Sequence, residues 1–233
     1  MEAHVHILDD PSDLTDRAQA FLARVGERTE VQHQPTEFML VPDRHGNTIP
    51  APFELVIRRE GFAQKFGGLR YPVRQSVLFP DGLDVRELFW EFTLFDFVRQ
   101  DHRGWYFDWS GEHVASPVHY LQHTDGRFGV TDSGTFIPVH PTMLSLIEHH
   151  ALLDKHAEWE PVSLPADAEV DGLRAALPVL PEASGPWARW HADEDTALHE
   201  NLLWTSTQPR TWRRRVWVRT PEARRGPGGA LTA

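Results

Sequence analysis

Near the start of the chain, apolar residues recur with helical spacing. Leu14, Ala18, Phe21, Leu22 and Val25 fall at i, i+4, i+7, i+8 and i+11, and predict an amphipathic helix over residues 10–27. Pro11 suits its first turn, Asp10 is the expected cap and Gly26 the expected stop. A short strand is expected over 37–41, then a loop over 43–52 marked by Gly46, Asn47 and Pro50. Phe53, Val56, Ile57, Phe62 and Phe66 predict a second helix, closed by Gly67-Gly68 with one of the two in the left-handed conformation.

From residue 71 to 139 the pattern turns to strands, expected over 73–79, 88–97, 104–109, 118–122, 128–131 and 136–139. The segment 88–97 is dense in aromatics (Phe89, Trp90, Phe92, Phe95, Phe97) and reads as a strand buried on both faces. Asp125-Gly126 marks a hairpin turn, and Asp132-Ser133-Gly134 a second turn, so these strands form an antiparallel meander. Residues 141–157 predict a helix with Pro141 in its first turn and Leu144, Ile147, Ala151 and Leu152 as the buried stripe. Its exposed side is expected to carry Glu148, His149, Asp154, Lys155 and Glu158.

Residues 161–185, rich in Pro and Ala, read as a connector with a short helix over 166–176. Trp187, Trp190, Trp204, Trp212 and Trp217 then crowd the last fifth of the chain, too many to leave in water, so this extension should dock on the body. Residues 211–219 suggest a terminal strand with Trp212, Val216 and Val218 on one side, and the Gly- and Arg-rich end suggests a disordered tail. The expected fold class is α+β: an antiparallel meander flanked by helices over 1–160, a connector and Trp-rich extension over 161–220, and a basic tail over 221–233.

Composition narrows the function classes. The chain has 233 residues, 40% hydrophobic and 24% charged, which is ordinary globular usage. With no Cys there is no disulfide framework, thiolate metal site or Cys nucleophile. No apolar run reaches the roughly 18 residues of a membrane span, and the N-terminus lacks a secretory pattern, so a cytoplasmic location is expected, with no membrane partner. The net charge is −11 and uneven: residues 201–233 hold seven Arg against Glu222, a surplus of six, leaving −17 on the first 200. Such a body repels phosphate backbones, which argues against nucleic acid, and attracts basic surfaces. The two Lys against 21 Arg read as the codon composition of a GC-rich genome.

Candidate chemistry is thin. His4-Val5-His6 lies near a free chain end. His119 and His123 share zinc-helix spacing but fall in a strand region without the accompanying Glu. Adjacent His149 and His150 point about 100° apart on a helix and cannot share one metal; His150 reads as half-buried and His149 as solvent-facing. There is no nucleophile elbow, dinucleotide fingerprint or phosphate loop. Contiguous carboxylates such as Asp193-Glu194-Asp195 read as solvated charge. No cofactor is implied.

The stretch Pro52-Phe53-Glu54-Leu55, then Gly61-Phe62-Ala63-Gln64-Lys65-Phe66-Gly67-Gly68-Leu69-Arg70-Tyr71, resembles the helix and Gly-Gly segment of the SUKH superfamily, bacterial toxin-immunity proteins and related cell-wall synthesis regulators. Val118-His119-Tyr120, the Asp125-Gly126 turn, and Phe136-Ile137-Pro138-Val139 leading into Thr142-Met143-Leu144 are similar in order to that family's second half. The resemblance covers roughly residues 12–158 and leaves the Trp-rich extension without a counterpart. It implies a non-catalytic immunity protein that binds a cognate protein toxin, many of which are basic nucleases. The acidic residues Asp81, Asp84, Glu87, Glu91, Asp96, Asp101, Asp108 and Glu112 are the candidate contact surface. Two alternatives stay open. One is a His- or metal-dependent hydrolase, which requires three or more of His102, His113, His119, His123 and His140 to converge in a pocket. The other is a regulatory scaffold that uses the Trp-rich extension as its contact face.

Overall fold

Thr15 starts the first helix. Its side chain accepts from the Ala18 backbone N–H, capping α1 (Asp16–Val25), while Asp10 instead accepts from the Ser12 N–H in a turn ahead of it. The computed structural model describes residues 5–32, 34–79, 82–113, 118–132, 135–162, 167–202 and 212–219. After α1 come β1 (Glu27–Arg28), a 3-10 turn (Thr36–Phe38), a small hairpin of β2 (Leu40–Pro42) and β3 (Thr48–Pro50), and α2 (Phe53–Phe66). The meander follows as β4 (Leu69–Phe79), β5 (Gly82–Asp101), β6 (Gly104–Glu112), β7 (Tyr120–His123), β8 (Phe128–Asp132) and β9 (Thr135–His140). The chain closes with α3 (Met143–His156), β10 (Glu160–Val162), α4 (Asp167–Ala176), β11 (Ala188–Ala192), β12 (Thr196–Leu202) and β13 (Trp212–Val218). The fold is α+β, and no helix among the described residues is long and apolar enough to cross a membrane.

The main sheet has seven antiparallel strands in the order β1-β4-β5-β6-β7-β8-β9, so nearly every strand pairs with its neighbour in sequence. Gly68 joins α2 to it at φ +75°, where a Cβ would collide with the Thr29 carbonyl; this is the left-handed stop expected of Gly67-Gly68. The inward row, including Tyr71, Phe92, Phe107, Trp109 and Phe128, packs on Phe21 and Leu22 of α1 and on Leu55, Phe62 and Phe66 of α2.

Two expectations change here. In α2 the buried positions are Leu55, Arg59, Phe62 and Phe66, while Phe53 and Ile57 are exposed. Arg59 is stable inside because it donates to the Phe95 carbonyl at 3.0 Å and the Thr36 hydroxyl at 3.3 Å, and its guanidinium lies over the Phe107 ring. The strand around 88–97 is buried on one face only: Trp90 and Phe92 are inside, whereas Phe89 and Phe95 are exposed. Period-two alternation sends Phe89 outward, and Phe95 and Asp96 lie within the register break between Leu94 and Val98, which follows another between Glu91 and Leu94.

The Trp-rich extension forms a second antiparallel sheet in the order β10-β13-β12-β11, of which the sequence indicated only β13. Trp217 and Arg215 face α3, while Val216 packs with Leu198, Val170 and Leu177 beneath α4. Both faces of β13 are therefore covered, and Trp212, Val216 and Val218 share the side that also carries Arg214. Trp204 and the tail lie outside the described residues.

Sandwiched between the two sheets, α3 has almost no exposed face. Glu148 and Asp154, expected on its outer side, are buried. Glu148 accepts from the Thr15 N–H at 2.6 Å and from Arg17 at 2.6 Å, and Asp154 pairs with Arg24 and, at 3.0 Å, with Arg74. Lys155 and Glu158 stay exposed. Thr142 is the cap, so Pro141, expected in the first turn, lies ahead of the helix.

Candidate functional site

The seven candidate acidic residues that the structure describes do not form one surface. Asp84, Glu87 and Asp96 are exposed. Glu91 is half-buried, 2.9 Å from His113 Nε2 and accepting from the Thr93 hydroxyl. Asp101 accepts from the N–H groups of Arg103 and Gly104 and lies 3.4 Å from His123. Asp108 is buried, accepts from the Phe97 N–H at 3.2 Å and sits 3.6 Å from His119; burial raises its pKa. Glu112 lies on the inward side opposite Trp90. Asp81 lies outside the described residues.

The outward row of β5 has a different character. Glu87, Phe89 and Glu91 alternate with inward Leu88, Trp90 and Phe92, and face Arg74, Pro72 and Arg70 of β4 across the ladder. Phe89 is 50% exposed and Val85 43%. Phe89 is set between the two carboxylates on this row, and Glu91 lies 3.9 Å from Arg70 of β4.

The five histidines that a hydrolase would need do not meet. His102 bonds to Arg103, His113 to Glu91, and His119 stacks on Phe97. His123 is buried between Asp101 and Asp125. His4 lies outside the described residues, and His6 is buried with Nδ1 accepting from the Leu8 N–H.

His140 belongs to a cluster that motif spacing did not reveal. Its ring lies 5.0 Å from that of His149, which is 5.8 Å from His150 and 5.0 Å from His199. Trp190 stacks on His199 at 4.3 Å, and His156 stacks on Trp190 and Trp217. Tyr71 Oη lies 2.9 Å from His150 Nδ1, and Trp190 Nε1 donates to His149 Nδ1 at 2.8 Å. Burial holds these imidazoles neutral, with His149 and His156 pushed down to about 3 and His140, His150 and His199 well below their usual value. His149, expected in solvent, is thus enclosed by other rings.

A cavity of about 150 Å³ opens beside these rings, walled also by Glu112, Gln75, Asn201 and Arg215. Burial raises the pKa of Glu112, and the Tyr120 hydroxyl donates to it at 3.1 Å. Among the described residues no group of three or more His, Asp or Glu has metal-binding geometry. A larger cavity of about 400 Å³ lies between α2 and the start of α3, lined by Ile57, Phe62, Met143 and Leu144. Its cations are engaged elsewhere, Arg58 with the Thr124 carbonyl and Lys65 with Asp13. No protein-family model matches the chain, and no curated protein and no solved structure is similar to it.

Proposed function

We propose that this chain is a non-catalytic cytoplasmic binding protein, an immunity factor that neutralises a basic protein toxin by covering it. The observation that carries this reading is Phe89, half exposed on a regular strand between Glu87 and Glu91. An aromatic anchor fixed on a rigid sheet loses little entropy on binding, and the flanking carboxylates favour a cationic partner. The charge of −17 on the first 200 residues steers such a partner toward the body at long range. The SUKH resemblance of the segment containing α2 and the meander supports the same reading.

The test is protection. A basic protein toxin encoded beside this chain's gene, which this reading requires, is expressed in cells with and without this protein. Wild-type protein should restore growth, and Phe89→Ser should lose protection while changing folding stability by only about 0.5 kcal/mol, as surface substitutions do. Undiminished toxicity in cells making the wild-type protein would end the proposal.

A further inference from the structure

We propose that the cavity between β4, α3 and the paired β12 and β13 binds a small oxyanion, held by the Arg215 guanidinium and by imidazole N–H groups. This site faces away from the outward row of β5 and stands whether or not a toxin is the partner.

Arg215 carries the argument. Its guanidinium lines the cavity and donates to Gln75 Oε1 at 3.4 Å, and no carboxylate among the described residues pairs with it. A guanidinium partly withdrawn from water without a counter-ion is unfavourable, and an anion in the cavity supplies one. The imidazoles add directed donors. Indole N–H is donor-only, so the Trp190 bond forces His149 Nδ1 to accept and places the His149 proton on Nε2. His199 is 4% exposed, and neither of its ring nitrogens has a hydrogen-bond partner; His140 is 1% exposed, and its Nδ1 has none. A neutral imidazole carries one N–H, and leaving it unmet in the interior has a cost that an oxyanion removes.

Size and charge narrow the ligand. A cavity of about 150 Å³ holds a molecule of about six heavy atoms, the size of benzene. Inorganic phosphate and acetate are within that limit. A metal cation is disfavoured by Arg215 and by the absence, among the described residues, of a three-ligand group. The wall's one carboxyl, Glu112, has its pKa raised by burial, which lessens its repulsion of an anion.

The full chain is titrated calorimetrically with inorganic phosphate and, separately, with acetate in a buffer free of both, with chloride as control. Saturable binding to one site is expected for at least one oxyanion. Phosphate alone identifies a phosphate site, and acetate alone a carboxylate site. Arg215→Gln should weaken that binding at least about tenfold, and Arg215→Lys should recover part of it. Long-range ¹H–¹⁵N spectra of the wild-type imidazoles should show His199 and His149 shifting on titration, which decides the question even if Arg215→Gln does not fold. No saturable binding of either oxyanion up to about 10 mM, or binding that leaves the imidazole signals and the Arg215→Gln affinity unmoved, overturns the site.

Discussion

Trp190 donates its indole N–H to His149 Nδ1 at 2.8 Å, a bond that ties the second sheet to α3. It satisfies a donor at the centre of a stack containing His199, His156 and Trp217. Trp190→Phe keeps an aromatic ring but removes the donor and some volume. Urea unfolding should show a loss of about 2–3 kcal/mol, and the ¹⁵N spectrum should lose the single Nε2–H tautomer of His149. An unchanged tautomer in Trp190→Phe would show that this bond does not set the proton's position.

Acid should unfold the protein well above the range where its carboxylates titrate. His140, His149, His150, His156 and His199 all have folded pKa values lowered chiefly by burial, to about 3 for His149 and His156. The cations facing them, Arg215 from β13, Arg17 from α1 and Lys155 on α3, deepen the effect; Glu112 from β6 is the carboxyl on the cavity wall. The unfolded chain therefore binds protons first as pH falls. Stability is flat above about pH 6.5 and drops below it by about 1.4 kcal/mol per pH unit for each imidazole. Asp108 and Glu112, whose pKa values are raised by burial, act in the opposite sense but number two against five. The urea midpoint should fall steeply between pH 7 and pH 5; a midpoint independent of pH over that range would contradict the neutral cluster.

Glu148 should be among the most sensitive single positions. Its buried carboxylate takes the Thr15 N–H and hydroxyl at the N-terminus of α1 together with the half-buried Arg17. Glu148→Ala removes the carboxylate that anchors the Thr15 N–H and hydroxyl and leaves Arg17 with Glu182 at 3.0 Å, so a loss of about 3–5 kcal/mol is expected. A double-mutant cycle with Arg17→Ala should give a coupling of about 1 kcal/mol or more, and additive losses would refute the pairing.

The meander was legible because its signals are local: the Asp125-Gly126 turn, the Gly67-Gly68 stop and strands that pair with their sequence neighbours. The face of α3 was not. Its polar residues suggested a solvated side because nothing local marks Arg17, Arg24 and Arg74, 80 to 131 positions away in sequence, as the partners of Glu148 and Asp154. The imidazole cavity stayed hidden for a related reason. His140, His149 and His199 meet only once β12 pairs with β11 and β13, and the Trp-rich extension was read as docked on the body with only its last strand foreseen. The one clue in the sequence was that Trp190 and Trp217 needed a partner to cover them.

That partner is α3, so the extension should be inseparable from the body. Leu152 of α3 is buried in one cluster with Trp159, Trp190, Ala197 and Trp217, and Trp187 joins the main core. Ending the chain after residue 186 removes β11, β12 and β13 and exposes Leu152, His149 and His156 on a helix whose opposite face still needs the main sheet. Uncovering that apolar surface and breaking the Trp217–Ser76 and Trp190–His149 bonds exceeds the usual margin of about 5–15 kcal/mol. The shortened chain should lose its near-ultraviolet dichroism and cooperative melting. A truncated protein that melts cooperatively would instead make the second sheet a separable module and move the search for its role to the Trp-rich face.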